Sequence, residues 1–174
     1  QQPSALQDLL QKEADQGITV IVAGANNGTT DGNGDTLAFP AKSPQTIAVS
    51  AVDSSLQRAD FSGTGSNVEL AAPGVNIVSS SVSGKYKIGE GTSAAAPFVS
   101  GMVAVLKQAY RNLTAAEIRT ALQQSATDLG APGRDNLYGY GLISFDHLLG
   151  KNSVIASSSA AAASSVRDAS SNPS

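Results

Sequence analysis

From Ser93 to Leu106 the chain reads SAAAPFVSGMVAVL, without one charged side chain. Wound as a helix, this run is apolar around nearly its whole circumference, and such a helix belongs in a core with other elements packed about it. Pro97 interrupts the run and suits a helix only in its first turn, which places the helix start close to Ser93. The segments before it supply layers. In SALQDLLQKEADQG, Ser4 and Gln7 have capping-box spacing, Leu6, Leu9 and Leu10 form one stripe, and Gly17 is a natural stop. ITVIVAG follows, continuous and β-branched, as expected of a strand covered on both faces in a parallel sheet. A helix, a short turn and a buried strand are α/β wiring.

The rest of the chain extends that pattern. TIAVSAV (46–52) is a second buried strand, NVELAAPGVNIVSSSV holds two short strands broken at Pro73-Gly74, and KYKIGEG is one more. Thr114 and Glu117 form a second capping box before a helix that buries Ile118, Ala121 and Leu122. LYGYGLISF is a glycine-broken extended stretch leading to a short terminal helix with Asp146 and His147 facing solvent. From Lys151 onward the sequence is serine and alanine with little apolar bulk. The expected organisation is one domain over 1–150 and a linker or disordered tail over 151–174.

With 174 residues, 41% of them hydrophobic, the chain is long enough for one domain with a real core. A net charge of −3 gives no basic surface to track a phosphate backbone, so nucleic acid is not an expected partner. No apolar run reaches the length of a membrane span. The chain has no cysteine, which excludes disulfides and thiolate metal sites. It begins at Gln1 without Met or a signal-like segment, so a preceding segment is expected to have been removed.

The residues with chemical potential cluster at EGTSAAAPFVSG (90–101). Two readings of GTS are open. Thr92 or Ser93 caps the helix, or Ser93 is a nucleophile at the positive end of a buried helix, whose backbone N–H groups face a developing oxyanion. Gly91 permits close approach of another backbone, and Ala94 to Ala96 leave space beside the hydroxyl.

GTSAAAP resembles the serine signature of the subtilisin-like serine proteases, G-T-S-x-A-x-P. VIVAGANNG resembles that family's strand and turn bearing the oxyanion-hole asparagine, at Asn26 here. FPAKSPQTIAVSAVD, ADFSGTGSNVELAAPG, TAAEIRTALQQSATDLG and YGYGLISF match further segments of the family in order, so that the likeness runs from about residue 4 to 149. It implies a doubly wound parallel α/β sheet with helices on both faces, in an incomplete domain. It further implies a secreted, extracellular serine endopeptidase acting on polypeptides, with the tail as a route to the cell surface.

The resemblance makes Ser93 the nucleophile, and its backbone N–H and the Asn26 amide the oxyanion donors. Ala23, Gly24, Ala25 and Asn27 line one wall of the primary pocket and Ala38 its floor. Gly91 and Thr92 complete the substrate-binding set. Neither Asn27 nor Ala38 is charged, which favours uncharged, medium-sized apolar side chains. Asn26 also has a plainer reading, as a turn residue before Gly28. The chain departs from the family at Ala25, where glycine is usual, at Ala94, which replaces a common methionine, and at Phe98, where many relatives carry histidine.

In this family aspartate and histidine precede the serine, and no stretch here resembles either motif. The missing pair is expected from an N-terminal half of the same protease domain, and the isolated chain is expected to be inactive. His147 as base, with Asp128 or Asp135, would require the order of the α/β-hydrolases. Their G-x-S-x-G elbow is absent, since Ala95 stands two residues after Ser93. A different class of function stays open, a non-catalytic subtilisin-like scaffold serving as a binding module. No cofactor is required and no catalytic metal is expected. DGNGDT (31–36) has the opening of a calcium loop, but Lys42 takes the place of its bidentate glutamate, and a plain turn is the favoured reading. The family's weak cation site would fall at Ala41, Ser43 and Glu69, with Asn67 replacing its second acid.

Overall fold

The computed structural model describes residues 4–149. In chain order the elements are α1 (Ser4–Asp15), β1 (Val20–Ala23), β2 (Thr46–Val52), β3 (Val68–Pro73), β4 (Ile77–Ser80), β5 (Tyr86–Gly89), α2 (Thr92–Ala109), α3 (Ala115–Ser125) and α4 (Phe145–Leu149). Strands β1, β2 and β3 form a parallel sheet in that order, and β4 and β5 an antiparallel ribbon. The α/β class and the parallel sheet agree with the sequence reading. The boundary at residue 150 and the Ser/Ala-rich segment lie outside the described residues.

Strand β2 is the spine, buried at all seven positions. It pairs with β1 from Val20↔Thr46 to Ala23↔Val49, and with β3 with a register slip between Ala48 and Val49. Alternation along the strands then sorts the side chains. Ile47, Val49 and Ala51, with Leu70 and Ala72 of β3, face α2 and α3, while Ala48 and Val68 face the loop residues Leu37 and Ala41. Helix α2 lays Ala95, Val99, Met102 and Leu106 on the first face at helical spacing, all fully buried. Burying a side chain such as Met102 or Leu106 contributes about 1.5–3 kcal/mol.

Three expectations change here. The run from Ser93 is not enclosed: Phe98 and Val105, flanking the face that packs on the sheet, are 40% and 38% exposed. Likewise β1 is half-buried along its whole length, since it is the outer strand of the sheet and no described strand pairs with its free edge. Pro97 also falls in the second turn of α2 rather than the first. It cannot donate to the Ser93 carbonyl four residues back.

Helix α3 begins as expected. Thr114 Oγ1 accepts from the Glu117 backbone N–H while the Glu117 carboxylate accepts from the Thr114 N–H. The Thr114 N–H and then the Thr114 hydroxyl, each donating to the carboxylate at 2.8 Å, hold the Glu117 carboxyl below the ordinary glutamate range. Ile118, Ala121 and Leu122 are buried against α2 and the sheet.

Candidate active site

Ser93 is the second residue of α2, and its side chain is exposed. The N-cap is Gly91, with no side-chain capping bond, so neither Thr92 nor Ser93 is used as a cap. The first N–H groups of a helix lack partners within it. Here Thr92 N donates to Asn26 Oδ1 at 2.8 Å, and Ala94 N and Ala95 N donate to the Gly91 carbonyl at 3.0 and 3.2 Å. Ser93 N has no protein acceptor among the described residues, and neither does the Ser93 hydroxyl have a hydrogen-bond partner there.

Asn26 follows β1 by three residues. Strand β1 ends at Ala23, the buried Gly24 donates to the Val49 carbonyl at 2.9 Å, and Ala25 turns the chain with φ 67°. The Asn26 side chain is fixed by Thr92, which is fully buried: Thr92 N and Thr92 Oγ1 both donate to Asn26 Oδ1 at 2.8 Å. With its oxygen held twice, the amide presents Nδ2 on its other side. The Thr92 hydroxyl therefore orients the asparagine, a role the sequence reading missed when it placed Thr92 in the substrate-binding set. The GTS motif flags the residue, but its partner lies 66 positions away.

Gly91 makes the arrangement feasible. Its φ of 137° suits glycine, and a Cβ there would sit 3.0 Å from Ser93 Oγ, 3.2 Å from Asn26 Nδ2 and 3.7 Å from Ser93 N. The hydroxyl and the two N–H groups therefore lie together beside Gly91, and Oγ and Nδ2 are separated by no more than about twice a hydrogen-bond length.

Other candidates are placed differently. Ala23 and Ala25 are half-buried, and Asn27 and Ala38 are exposed beyond them. His147 stands exposed on α4 with Nδ1 3.1 Å from the Ser125 carbonyl oxygen, and makes no hydrogen bond to Ser93. Ser93 also lines a groove of about 500 Å³ between the β4–β5 ribbon and α2, walled by Ile77, Val78, Glu90, Ala94, Pro97 and Phe98.

The cation expected near Ala41, Ser43 and Glu69 meets groups already engaged. Glu69, 2% exposed, accepts from Arg119 Nε at 2.6 Å, from Arg119 Nη2 and from Gln123 Nε2 at 2.8 Å. The Ser43 carbonyl accepts from Thr46 N and Thr46 Oγ1. A guanidinium thus fills the electrostatic role of a cation beside Glu69, and these residues do not fit a metal. In the 31–36 loop, Asp31 accepts from Thr29 Oγ1 at 2.5 Å and from Asn33 N and Nδ2. These bonds, that from Thr29 foremost, lower its carboxyl below the ordinary aspartate range. Asp31 is engaged as a turn residue.

A family model described as the subtilase family matches residues 1–141. Subtilisin E of Bacillus subtilis (strain 168) is 42% identical over 140 residues, covering 80% of this chain and 36% of that protein. The minor extracellular protease Epr of the same organism is 40% identical over 140 residues, covering 80% and 21%. Subtilisin DY of Bacillus licheniformis is 40% identical over 144 residues, covering 82% and 51%. The chain therefore spans from about a fifth to about half of the length of these relatives.

Proposed function

The chain belongs to the subtilase family, and on that premise we propose that it is the nucleophile-bearing part of a serine endopeptidase whose aspartate and histidine come from an N-terminal half of the same domain. The carrying observation is that Ser93 Oγ, Ser93 N and Asn26 Nδ2 lie together beside Gly91, with the serine hydroxyl free of any capping bond.

In this mechanism Ser93 Oγ attacks the substrate carbonyl carbon while an imidazole takes its proton. The carbonyl oxygen becomes an oxyanion held by Ser93 N and Asn26 Nδ2. The imidazole then protonates the leaving amine, and water releases the acyl group by the same steps. The donors are preorganised, since Thr92 holds Asn26 before any substrate arrives. Among the described residues no base reaches Ser93, and the groove on its open side offers an imidazole-bearing segment an approach. The exposed apolar side of α2 around Phe98 and Val105 has the character of a surface that the N-terminal half covers.

Uncharged Asn27 and Ala38 favour cleavage after uncharged, medium-sized apolar residues. An extracellular setting follows the relative whose name carries that word. No cofactor enters the reaction.

The test compares the full-length protease, its Ser93→Ala variant and this chain alone on peptide substrates, and maps the residue labelled by a sulfonyl fluoride. Full-length enzyme should cleave and be labelled at Ser93, while the other two stay inert. In subtilisin itself, loss of the serine or histidine costs about 2 × 10⁶ in kcat, which is roughly 8–9 kcal/mol of barrier. Brisk hydrolysis by this chain alone, abolished by His147→Ala, would overturn the assignment. A full-length protein that is inert and unlabelled would instead favour the non-catalytic scaffold.

A further inference from the structure

The Asn26 loop runs over the surface from the end of β1, so something must hold it at a fixed height above α2. Two backbone bonds contribute: Gly63 N donates to the Ala25 carbonyl at 3.0 Å, and Gly28 N to the Phe61 carbonyl at 2.8 Å. Contact there is close enough that a Cβ on Gly28 would sit 2.0 Å from the Ser62 carbonyl oxygen. The counter-wall of the loop is thus the segment 58–63.

One side chain joins both walls. Arg58 Nη1 donates to the carbonyls of Ala59, Asp60 and Ser62 at 3.0, 3.2 and 2.7 Å, and Nη2 to those of Thr29 and Thr30 at 2.5 and 3.3 Å. The root of the side chain is anchored as well, since Arg58 N donates to the hydroxyl of the buried Tyr138 at 3.1 Å. No carboxylate is among these partners. Five carbonyl dipoles on two chain segments share one guanidinium, whose rigid planar fork can serve both sides at once, as a lysine ammonium on a flexible stem cannot.

We propose that Arg58 is a positioning residue for the oxyanion donor, setting the height of the 24–30 loop and through it the aim of Asn26 Nδ2. The inference rests on the proposed role of Asn26. Loss of the brace leaves the fold standing on its sheet but lets Nδ2 wander by a fraction of an ångström. An oxyanion feels that displacement far more than a ground-state carbonyl does. The effect should therefore fall on kcat and spare KM.

The experiment is a double-mutant cycle in the full-length protease. Arg58→Ala should lower kcat about tenfold with KM within about twofold, and Arg58→Lys should lie between it and the parent. In an Asn26→Ala background, Arg58→Ala should change kcat by less than about twofold, because the group it positions is gone. A purely structural role would give the same loss in both backgrounds, and that outcome, or an unchanged kcat in Arg58→Ala, overturns the proposal. Thermal unfolding of each variant fixes a temperature at which all are folded, and if Arg58→Ala fails to fold, Arg58→Lys carries the same cycle. Failure of the broader reading is distinguishable, since it would appear as a full-length parent that is already inert or as activity surviving Ser93→Ala.

Discussion

The apolar side chains of helix α2 meet two different fates. On one side, Ala95, Val99, Met102 and Leu106 are fully buried against β2, β3 and α3. On the other, Phe98 and Val105 are left more than a third exposed. Ser93 sits where the two sides meet, at the N-terminal end. Toward the sheet, Thr92 and Asn26 are locked together by two hydrogen bonds that Thr92 N and Thr92 Oγ1 donate to Asn26 Oδ1. Toward the open side there is only the groove. Under the proposed function, oxyanion chemistry and proton chemistry are separable in this molecule. The donors would belong to the packed side, and the base would come to the side that the described residues leave uncovered.

The largest expected effect tests the finished side against the open one. In full-length protease carrying Ser93→Ala to prevent autolysis, Leu106→Ala should lower the unfolding free energy by about 2–5 kcal/mol. If the N-terminal half covers the other side of α2, Phe98→Ala should also cost more than about 1 kcal/mol, despite the residue's 40% exposure here. Denaturant midpoints decide between the alternatives. A change within about 0.5 kcal/mol for Phe98→Ala would mean that this side of the helix remains in water.

The next effect breaks the comparison at the site. Asn26→Ala should lower kcat about 10²–10³-fold, the magnitude known for this kind of asparagine in subtilisin. His147→Ala should leave kcat within about twofold, because its ring is committed to the Ser125 carbonyl on the far end of α3. Steady-state kinetics on one peptide series measures both. A reversed order of the two effects would move the proton chemistry onto α4 and dissolve the division between the two sides.

Local patterns were legible where local physics decides. The β-branched run of β2, the Thr114–Glu117 capping box and the buried face of α3 follow from periodicity and cap chemistry alone. So does the start of α2 beside Ser93, although Pro97 stands one turn deeper than its chemistry suggested. The enclosure of α2 and β1 was not legible. An apolar surface states what it requires and not whether this stretch of chain supplies it. At the site, Ser93 and Asn26 were visible through their motifs, but the bonds that aim them join residues dozens of positions apart. Thr92 to Asn26 and Arg58 to Thr29 are such pairs. The Glu69–Arg119 ion pair was hidden for the same reason, and it displaces the cation that the sequence suggested.

The smallest expected effect sharpens the comparison from the finished side. Ala25 holds φ 67°, a left-handed conformation that costs an L-residue with a Cβ about 1–2 kcal/mol. The strain persists because the residue is pinned on both sides. Gly24 N is bonded to the Val49 carbonyl before it, and Thr92 grips the Asn26 side chain after it, while its own carbonyl accepts from Gly63 N and Thr92 Oγ1. Glycine would adopt the same backbone without the clash, at the cost of more freedom to lose on folding. Ala25→Gly should therefore raise the unfolding free energy of the full-length Ser93→Ala protease by about 0.5–1 kcal/mol. In the active enzyme kcat should stay within about twofold, since the bonds that aim Asn26 use no atom of the lost methyl. A stability gain accompanied by a large fall in kcat would mean that the methyl itself confines the loop. Destabilisation would show that the left-handed turn at residue 25 is relaxed once the N-terminal half is in place.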